Sequence, residues 1–163
     1  KQGGSEQMRD QDDSARDAEA AATPSVVRTV EALSRAAART GSVAEKQLVE
    51  GARQLLRARL KMARIAPKGL LRDSPWDMML ELFINGEEGG ILYVKQLMLM
   101  SGESSTAAMR RIDRLEEAGF IERFPDPLDG RRVIVQLKDV GRTAMLAMLQ
   151  HVFEPHTPPA PAE

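Results

Sequence analysis

The side chains able to do chemistry in this chain are arginines, serines and carboxylates. Its 163 residues include no cysteine and two histidines, His151 and His156. Without cysteine there is no disulfide frame, no thiol redox sensor, no thiol nucleophile and no Cys-ligated zinc. His151 ends a helical stretch and His156 lies in a proline-rich run, where a metal site lacks preorganisation. Asp73, Asp77 and Glu81 fall along a helix start, and the helix dipole accounts for them without a site. Gly86-Glu-Glu-Gly-Gly90 lacks the lysine and the fixed spacing of a phosphate loop. The expectation is therefore no enzyme, no metal and no cofactor.

The stretch with a chemical meaning of its own is Ser104–Ala118. At 100° per residue Ala108, Ile112 and Leu115 fall within about 60° of one another and form a core-facing stripe. Thr106, Arg110, Asp113, Arg114 and Glu117 occupy the other side. Ser104 or Ser105 caps the N-terminus, where free backbone N–H groups and the helix dipole favour a phosphate. A helix of this kind presents its N-terminal part to a DNA major groove. Arginine can pair bidentately with guanine, and threonine can bond a base edge or meet a thymine methyl. Ser104, Ser105, Thr106, Met109, Arg110 and Arg114 are thus the candidate duplex contacts, with Thr106 and Arg110 reading bases. A plain solvated helix face is the alternative.

A second set follows at Asp126-Pro-Leu-Asp129-Gly130, a tight turn in which the glycine is expected at positive φ. Arg131 and Arg132 come next, at the start of an expected strand Arg131–Leu137. Adjacent strand residues point to opposite faces, so one arginine reaches outward toward a minor groove. The other is placed to pair with Asp126 or Asp129 and hold the shape of the turn.

These candidates need elements to hold them. Ser74-Pro75 starts a helix with Trp76, Met79, Leu80 and Phe83 on its apolar side, stopping at Asn85-Gly86. Ile91-Leu-Tyr93 is a short strand, Val94–Met100 a short helix and Ser101-Gly102 a turn. Ser104–Ala118 ends at Gly119, Phe120–Phe124 is a strand, and Asp139 caps a last helix through Phe153. The order is helix, short strand, helix, helix, strand, turn, strand. The fold class expected is mainly α with a small antiparallel β wing (α+β), a winged helix-turn-helix with an N-terminal helical arm.

At these positions the chain resembles a known family. Ile91-Leu-Tyr-Val-Lys-Gln-Leu97, Met109-Arg-Arg-Ile-Asp-Arg-Leu-Glu-Glu-Ala-Gly119-Phe-Ile-Glu-Arg123 and Asp126-Pro-Leu-Asp-Gly-Arg-Arg132-Val-Ile-Val-Gln-Leu137 look like the winged-helix core of MarR-type regulators. The wing followed by Gly141 is the most specific part, and the resemblance covers about Asp73–Met145. It implies a homodimer on a pseudo-palindromic operator, with Arg110 and its polar neighbours in the major groove and the wing arginines in the minor groove. It also implies a cytoplasmic, nucleoid-associated bacterial protein, and it admits a small-molecule effector. Two departures stand out: Lys138 replaces the usual threonine cap, and only Asp139–Phe153 is available as C-terminal helix before the prolines.

Residues 1–22 are expected to be a disordered acidic head, with Lys1–Gln7 a vector-encoded remnant ahead of Met8. Thr23-Pro24 starts a helix with an apolar stripe Val26, Val30, Leu33 and Ala37, ended by Gly41. Ser42-Val-Ala-Glu45 has the form of a capping box and opens a helix to about Ala66, roughly 36 Å long. Residues 23–68 are read as basic helices forming a dimerisation arm, 69–138 as the winged domain, 139–153 as the C-terminal helix and 154–163 as a proline-rich tail. On the long helix, Leu48, Leu55 and Met62 edge one side of a wide apolar arc and Val49, Leu56, Leu60 and Ala63 the other, enough for two partners. Arg59 lies inside that arc and must find a carboxylate or snorkel. Lys46, Arg53, Arg57, Lys61 and Arg64 form an opposite stripe, read as an auxiliary phosphate-contacting face, an acidic-partner face or plain solvated surface.

The formal net charge of −1 hides this distribution. Residues 1–22 carry −3, 23–68 carry +7, 69–102 carry −3, and 103–132 and 133–163 carry −1 each. Tight DNA binding would thus require the basic helices to help, or a few placed arginines to suffice. Two functions remain open on the sequence: a DNA-binding transcriptional regulator, or a winged-helix protein-interaction module that binds an acidic protein partner. The lack of any apolar run near 20 residues argues for a soluble, cytoplasmic protein.

Overall fold

The expected capping box is complete. Ser42 Oγ accepts from the Glu45 N–H at 3.2 Å, and Glu45 Oε2 accepts from the Ser42 N–H at 2.8 Å. Two of the orphan donors at the start of α1 (Val43–Ile65) are satisfied in this way. The computed structural model describes residues 31, 42–67, 70–71 and 74–154. The acidic head, the Thr23-Pro24 helix with its apolar stripe and Gly41, Lys68, Gly69, Asp73, and the proline tail with His156 lie outside the described residues.

The other elements are α2 (Ser74–Glu87), β1 (Leu92–Tyr93), α3 (Val94–Ser101), α4 (Ser105–Glu117), β2 (Ile121–Pro125), β3 (Val133–Leu137) and α5 (Asp139–Phe153). This is the expected order, and it is the winged helix-turn-helix fold. The sheet runs β1-β3-β2, antiparallel throughout, with Tyr93 opposite Ile134 and Phe124 opposite Ile134 from the other side. None of the described helices is long and apolar enough to cross a membrane.

α2 is the axle of the core: Met78, Met79, Leu80, Leu82, Phe83 and Ile84 are all buried. Around it pack Leu97 from α3, the stripe Ala108, Ile112 and Leu115 from α4, and Met145 and Leu149 from α5. The methionines suit this irregular space because their unbranched thioethers adapt to it. The wide arc of α1 turns largely inward. Ala52 and Leu56 are buried, and Leu48, Val49, Leu55 and Leu60 pack against the core, whereas Met62 stays exposed. Arg59 finds its carboxylate in Asp77, with Nε 2.6 Å from Oδ1. Asp77 does sit in the first turn of α2, but its side chain is spent on this pair.

Two glycines hold local geometry. Gly119 (φ +76°) follows the Ala118 C-cap of α4 and lets the Gly119 and Phe120 N–H groups return to the Glu116 and Leu115 carbonyls. This double bond pattern closes the helix end. Gly141, in the first turn of α5, lies against the Phe120 carbonyl, where an added Cβ would come within 2.2 Å of the oxygen. The same oxygen accepts the Lys138 N–H at 2.9 Å, so α5 starts directly on the base of β2.

Four expectations are corrected. α2 does not stop at Asn85-Gly86; it continues to Glu87, and the chain turns at Gly89, which takes positive φ. Gly130 is not among the positive-φ glycines, which are Gly89, Gly102 and Gly119 among the described residues. Arg131 and Arg132 precede β3 rather than begin it, because the Arg132 N–H bonds the Asp129 carbonyl and the Arg132 carbonyl bonds the Asp126 N–H. Asp139 is the first residue of α5 and not its cap; Lys138, extended at φ −73° and ψ 166°, takes that position without a side-chain bond.

Candidate nucleic-acid interface

The turn between α3 and α4 is held from inside. Gly102 caps α3 in the left-handed region, and the buried Ser101 hydroxyl donates to the Met98 carbonyl at 2.6 Å while accepting the Glu103 N–H at 3.2 Å. Ser74 at the start of α2, also buried, donates to Glu103 Oε2 at 2.8 Å. The corner that orients α4 is thereby tied to the core helix.

Of the two serines, Ser104 is the cap, its Oγ accepting from the Ala107 N–H at 3.3 Å. Ser105, Thr106, Arg110 and Arg114 are exposed. Met109 is half-buried, with its Sδ 3.5 Å from Arg123 Nη1 on β2. Arg123 was not among the sequence candidates, yet it organises this side of α4. Its Nε and backbone N–H bond Glu116, its Nη2 is shared between Glu116 and Asp113, and the Asp113 contact measures 2.9 Å. Arg123 holds the Glu116 carboxyl below the usual carboxylate range, and the carboxylates in turn raise Arg123.

The wing answers the question of which arginine is structural. Arg132 Nη2 lies 2.9 Å from Asp126 Oδ2, its Nε 3.5 Å from Asp129, and its guanidinium 4.8 Å above the Tyr93 ring. Asp126 is 5% exposed and fully used. Its Oδ1 accepts the Leu128 N–H and its Oδ2 the Tyr93 hydroxyl, both at 2.9 Å. The Leu128 N–H first, then the Tyr93 hydroxyl and Arg132, hold Asp126 below its ordinary value. Arg131 is exposed, and its backbone N–H is engaged by Asp129 Oδ1 at 3.1 Å. Among the described residues, Arg110, Arg114 and Arg131 have no ion-pair partner.

The auxiliary stripe divides. Lys46, Arg57, Lys61 and Arg64 are exposed on α1. Arg53 is bound to Glu88 beyond α2 and lies 3.2 Å from Glu50. Glu88, and after it Glu50, raise Arg53. His151 sits 3.2 Å from Glu154 at the exposed end of α5. A further network missed in the sequence joins three helices. Arg142 on α5 meets Glu87 on α2 through Nε at 2.5 Å and Nη2 at 2.9 Å, and reaches Glu45 on α1 at 3.4 Å. None of these long-range pairs follows a spacing rule, so no local pattern announces them.

The MarR family model matches residues 82–133. No curated protein matches the chain. Among solved structures, a clinical-isolate mutant of Staphylococcus aureus MepR aligns at 15% identity over 60% of this chain and 66% of its own, just under two thirds, with a TM-score of 0.44. S. aureus MepR in a DNA-binding conformation aligns at 15% identity over 63% of this chain and 72% of its own, with a TM-score of 0.45. A probable transcriptional regulator from Pseudomonas aeruginosa aligns at 25% identity over 66% and 81%, with a TM-score of 0.38. The family match begins inside α2 and ends at the first residue of β3. It takes in both helices of the motif, β2 and the wing turn, and over this region the chain is similar to the MarR family.

Proposed function

We propose that the protein is a DNA-binding transcriptional regulator acting as a homodimer on a pseudo-palindromic operator. One observation carries the reading: the arginines of the winged domain are sorted. Arg123 and Arg132 are committed to carboxylates, whereas Arg110 and Arg114 on α4 and Arg131 on the wing stand exposed and unpaired among the described residues. Those are the two elements a winged helix offers to a duplex. Ser104, Ser105 and Thr106 at the start of α4 add hydroxyls and a helix N-terminus for a phosphate. Met109, half-buried beside them, offers at most an apolar edge.

In this reading residues 23–68 and 139–153 serve dimerisation, around a winged domain at 69–138, in the bacterial cytoplasm with the nucleoid. An effector, if one acts where α1 meets the winged domain, must open its own space. The hole lined by Leu56, Leu60, Asp77, Glu81 and Leu97 measures about 10 Å³, room for a single water. Mobility-shift titration against genomic fragments tests the main reading. Arg110→Ala should lose about 1–3 kcal/mol and relax preference at one operator position. A wild type with no preference over random duplex, matched by an equally tight Arg110→Ala, would sink it. The exposed cations Lys46, Arg57, Lys61 and Arg64 favour a second reading, a module for an acidic protein partner. A stoichiometric partner competing with duplex for the Arg110 face would select it.

A further inference from the structure

The wing has its own small core. Phe124 and Ile134 form a buried cluster apart from the main one, and the partner packed against it is Tyr93. Phe124 and Ile134 belong to the wing strands; Tyr93 does not. It ends β1 and is the N-cap residue of α3, the first helix of the motif. The register places Tyr93, Ile134 and Phe124 in a row across the sheet. Same-face cross-strand neighbours of this kind pack directly. From that row the Tyr93 hydroxyl donates to Asp126, and Arg132 lies over its ring while pairing with the same Asp126 oxygen. Asp126 Oδ1 in turn fixes the Leu128 N–H at the tip.

From this geometry we infer that Tyr93 is the positioning residue of the wing, setting through Asp126 and Arg132 where Arg131 stands relative to α3 and α4. The inference rests on the duplex-binding reading for its effect on DNA, but not for its effect on the wing. Tyr93 itself need not touch DNA. Its ring supplies the floor under Arg132, and its hydroxyl supplies one of the two bonds that share Asp126 Oδ2. Without the hydroxyl, Arg132 alone holds that oxygen, at the solvent-facing side of the turn (its side chain is 47% exposed). The tip then samples more orientations, and Arg131 loses the fixed reach that a few placed arginines require in a domain that is not basic overall.

The test uses the full chain and two readouts. The first is a double-mutant cycle of Tyr93→Phe with Arg131→Ala, read as affinity for a duplex that the wild type selects from a random-sequence pool. Tyr93→Phe keeps the ring and the stacking and removes only the hydroxyl. It should weaken binding about three- to tenfold in the wild-type background, in the range of one ordinary hydrogen bond. It should have little effect once Arg131 is alanine. An equal loss in both backgrounds, or no loss in either, overturns the inference. The second readout needs no DNA: hydrogen exchange of the Leu128 amide should speed up at least about tenfold in Tyr93→Phe, with α2 amides unchanged. An unaltered Leu128 rate overturns the inference whether or not any duplex is bound. A wild type that selects no duplex but shows the faster Leu128 exchange in Tyr93→Phe removes the regulator reading and leaves the latch standing.

Discussion

Arg142→Ala offers the most quantitative check on how the helices are joined. The guanidinium makes two bonds to Glu87, at 2.5 and 2.9 Å, and a longer one of 3.4 Å to Glu45. Side-chain exposure is 19% for Arg142 and 7% for Glu87, so this is a largely desolvated pair. Removing one partner of such a pair leaves a buried charge uncompensated, and losses of about 3–5 kcal/mol are usual. Arg142 retains some solvent, so the lower end, about 3 kcal/mol, is expected. In a chain of this size that corresponds to a melting shift of roughly 6–12 °C. Urea unfolding followed through the single tryptophan, Trp76 on α2, reads it directly. The cycle with Glu87→Gln sharpens the point. If the orphaned carboxylate is the cost, Arg142→Ala/Glu87→Gln must be more stable than Arg142→Ala alone. A single-mutant loss below about 1 kcal/mol, or strictly additive effects, would show that the network is decorative and that the reasoning from burial is wrong.

Three further predictions follow from other parts of the fold. Gly141→Ala must push α5 off the Phe120 carbonyl and should cost about 1–3 kcal/mol or more, whereas Gly130→Ala, at a site open to solvent, should leave the melting temperature nearly unchanged. Burial first, then Asp77, raises the Glu81 carboxyl, so its stabilising contribution is present at low pH and lost as pH rises through the raised value. Glu81→Gln should therefore melt above wild type at about pH 7 and lose that advantage below about pH 4; equal melting at neutral pH counts against it. Glu116 and Asp126, held low, act with the opposite sign: what they lend is present near neutrality and is lost as pH falls through their depressed values. Arg131→Ala should reduce the salt slope of duplex binding by about one contact without lowering the melting temperature, while Arg132→Ala should do both; indistinguishable variants would contradict the division of the two arginines.

The parts of this architecture written into local sequence were legible in it. Ser42 and Glu45 are three residues apart because a capping box requires it, and Ala108, Ile112 and Leu115 repeat at the helical period because one face of α4 must be buried. The wing turn was legible as a turn. Which arginine would lock it was not, because that depends on Tyr93, 33 residues from Asp126 along the chain. Gly130 misled for a related reason: the turn is shaped by Asp126 and Asp129 side chains bonding backbone N–H groups, and it does not need a left-handed residue there. Arg123, a strand residue between Glu122 and Phe124 on the chain, carries no periodic signal of its role. Only the pairing of β2 with α4 brings it to Glu116 and Asp113.

That last contact has a consequence for the field around the recognition helix. Along α4 three arginines, Arg110, Arg111 and Arg114, are balanced by three acids, Asp113, Glu116 and Glu117. Counted along the chain, the helix is neutral and offers a polyanion nothing. Arg123 changes the sum seen from outside by acting as an internal counterion to two of the three acids. The helix becomes polar across its width, compensated on the flank toward the sheet and positive where Arg110 and Arg114 stand. Charge asymmetry is thus imported from a neighbouring strand rather than encoded in the helix. Neutralising Arg123 would remove one unit of positive charge and leave both carboxylates uncompensated, at a residue that itself stays on the protein side.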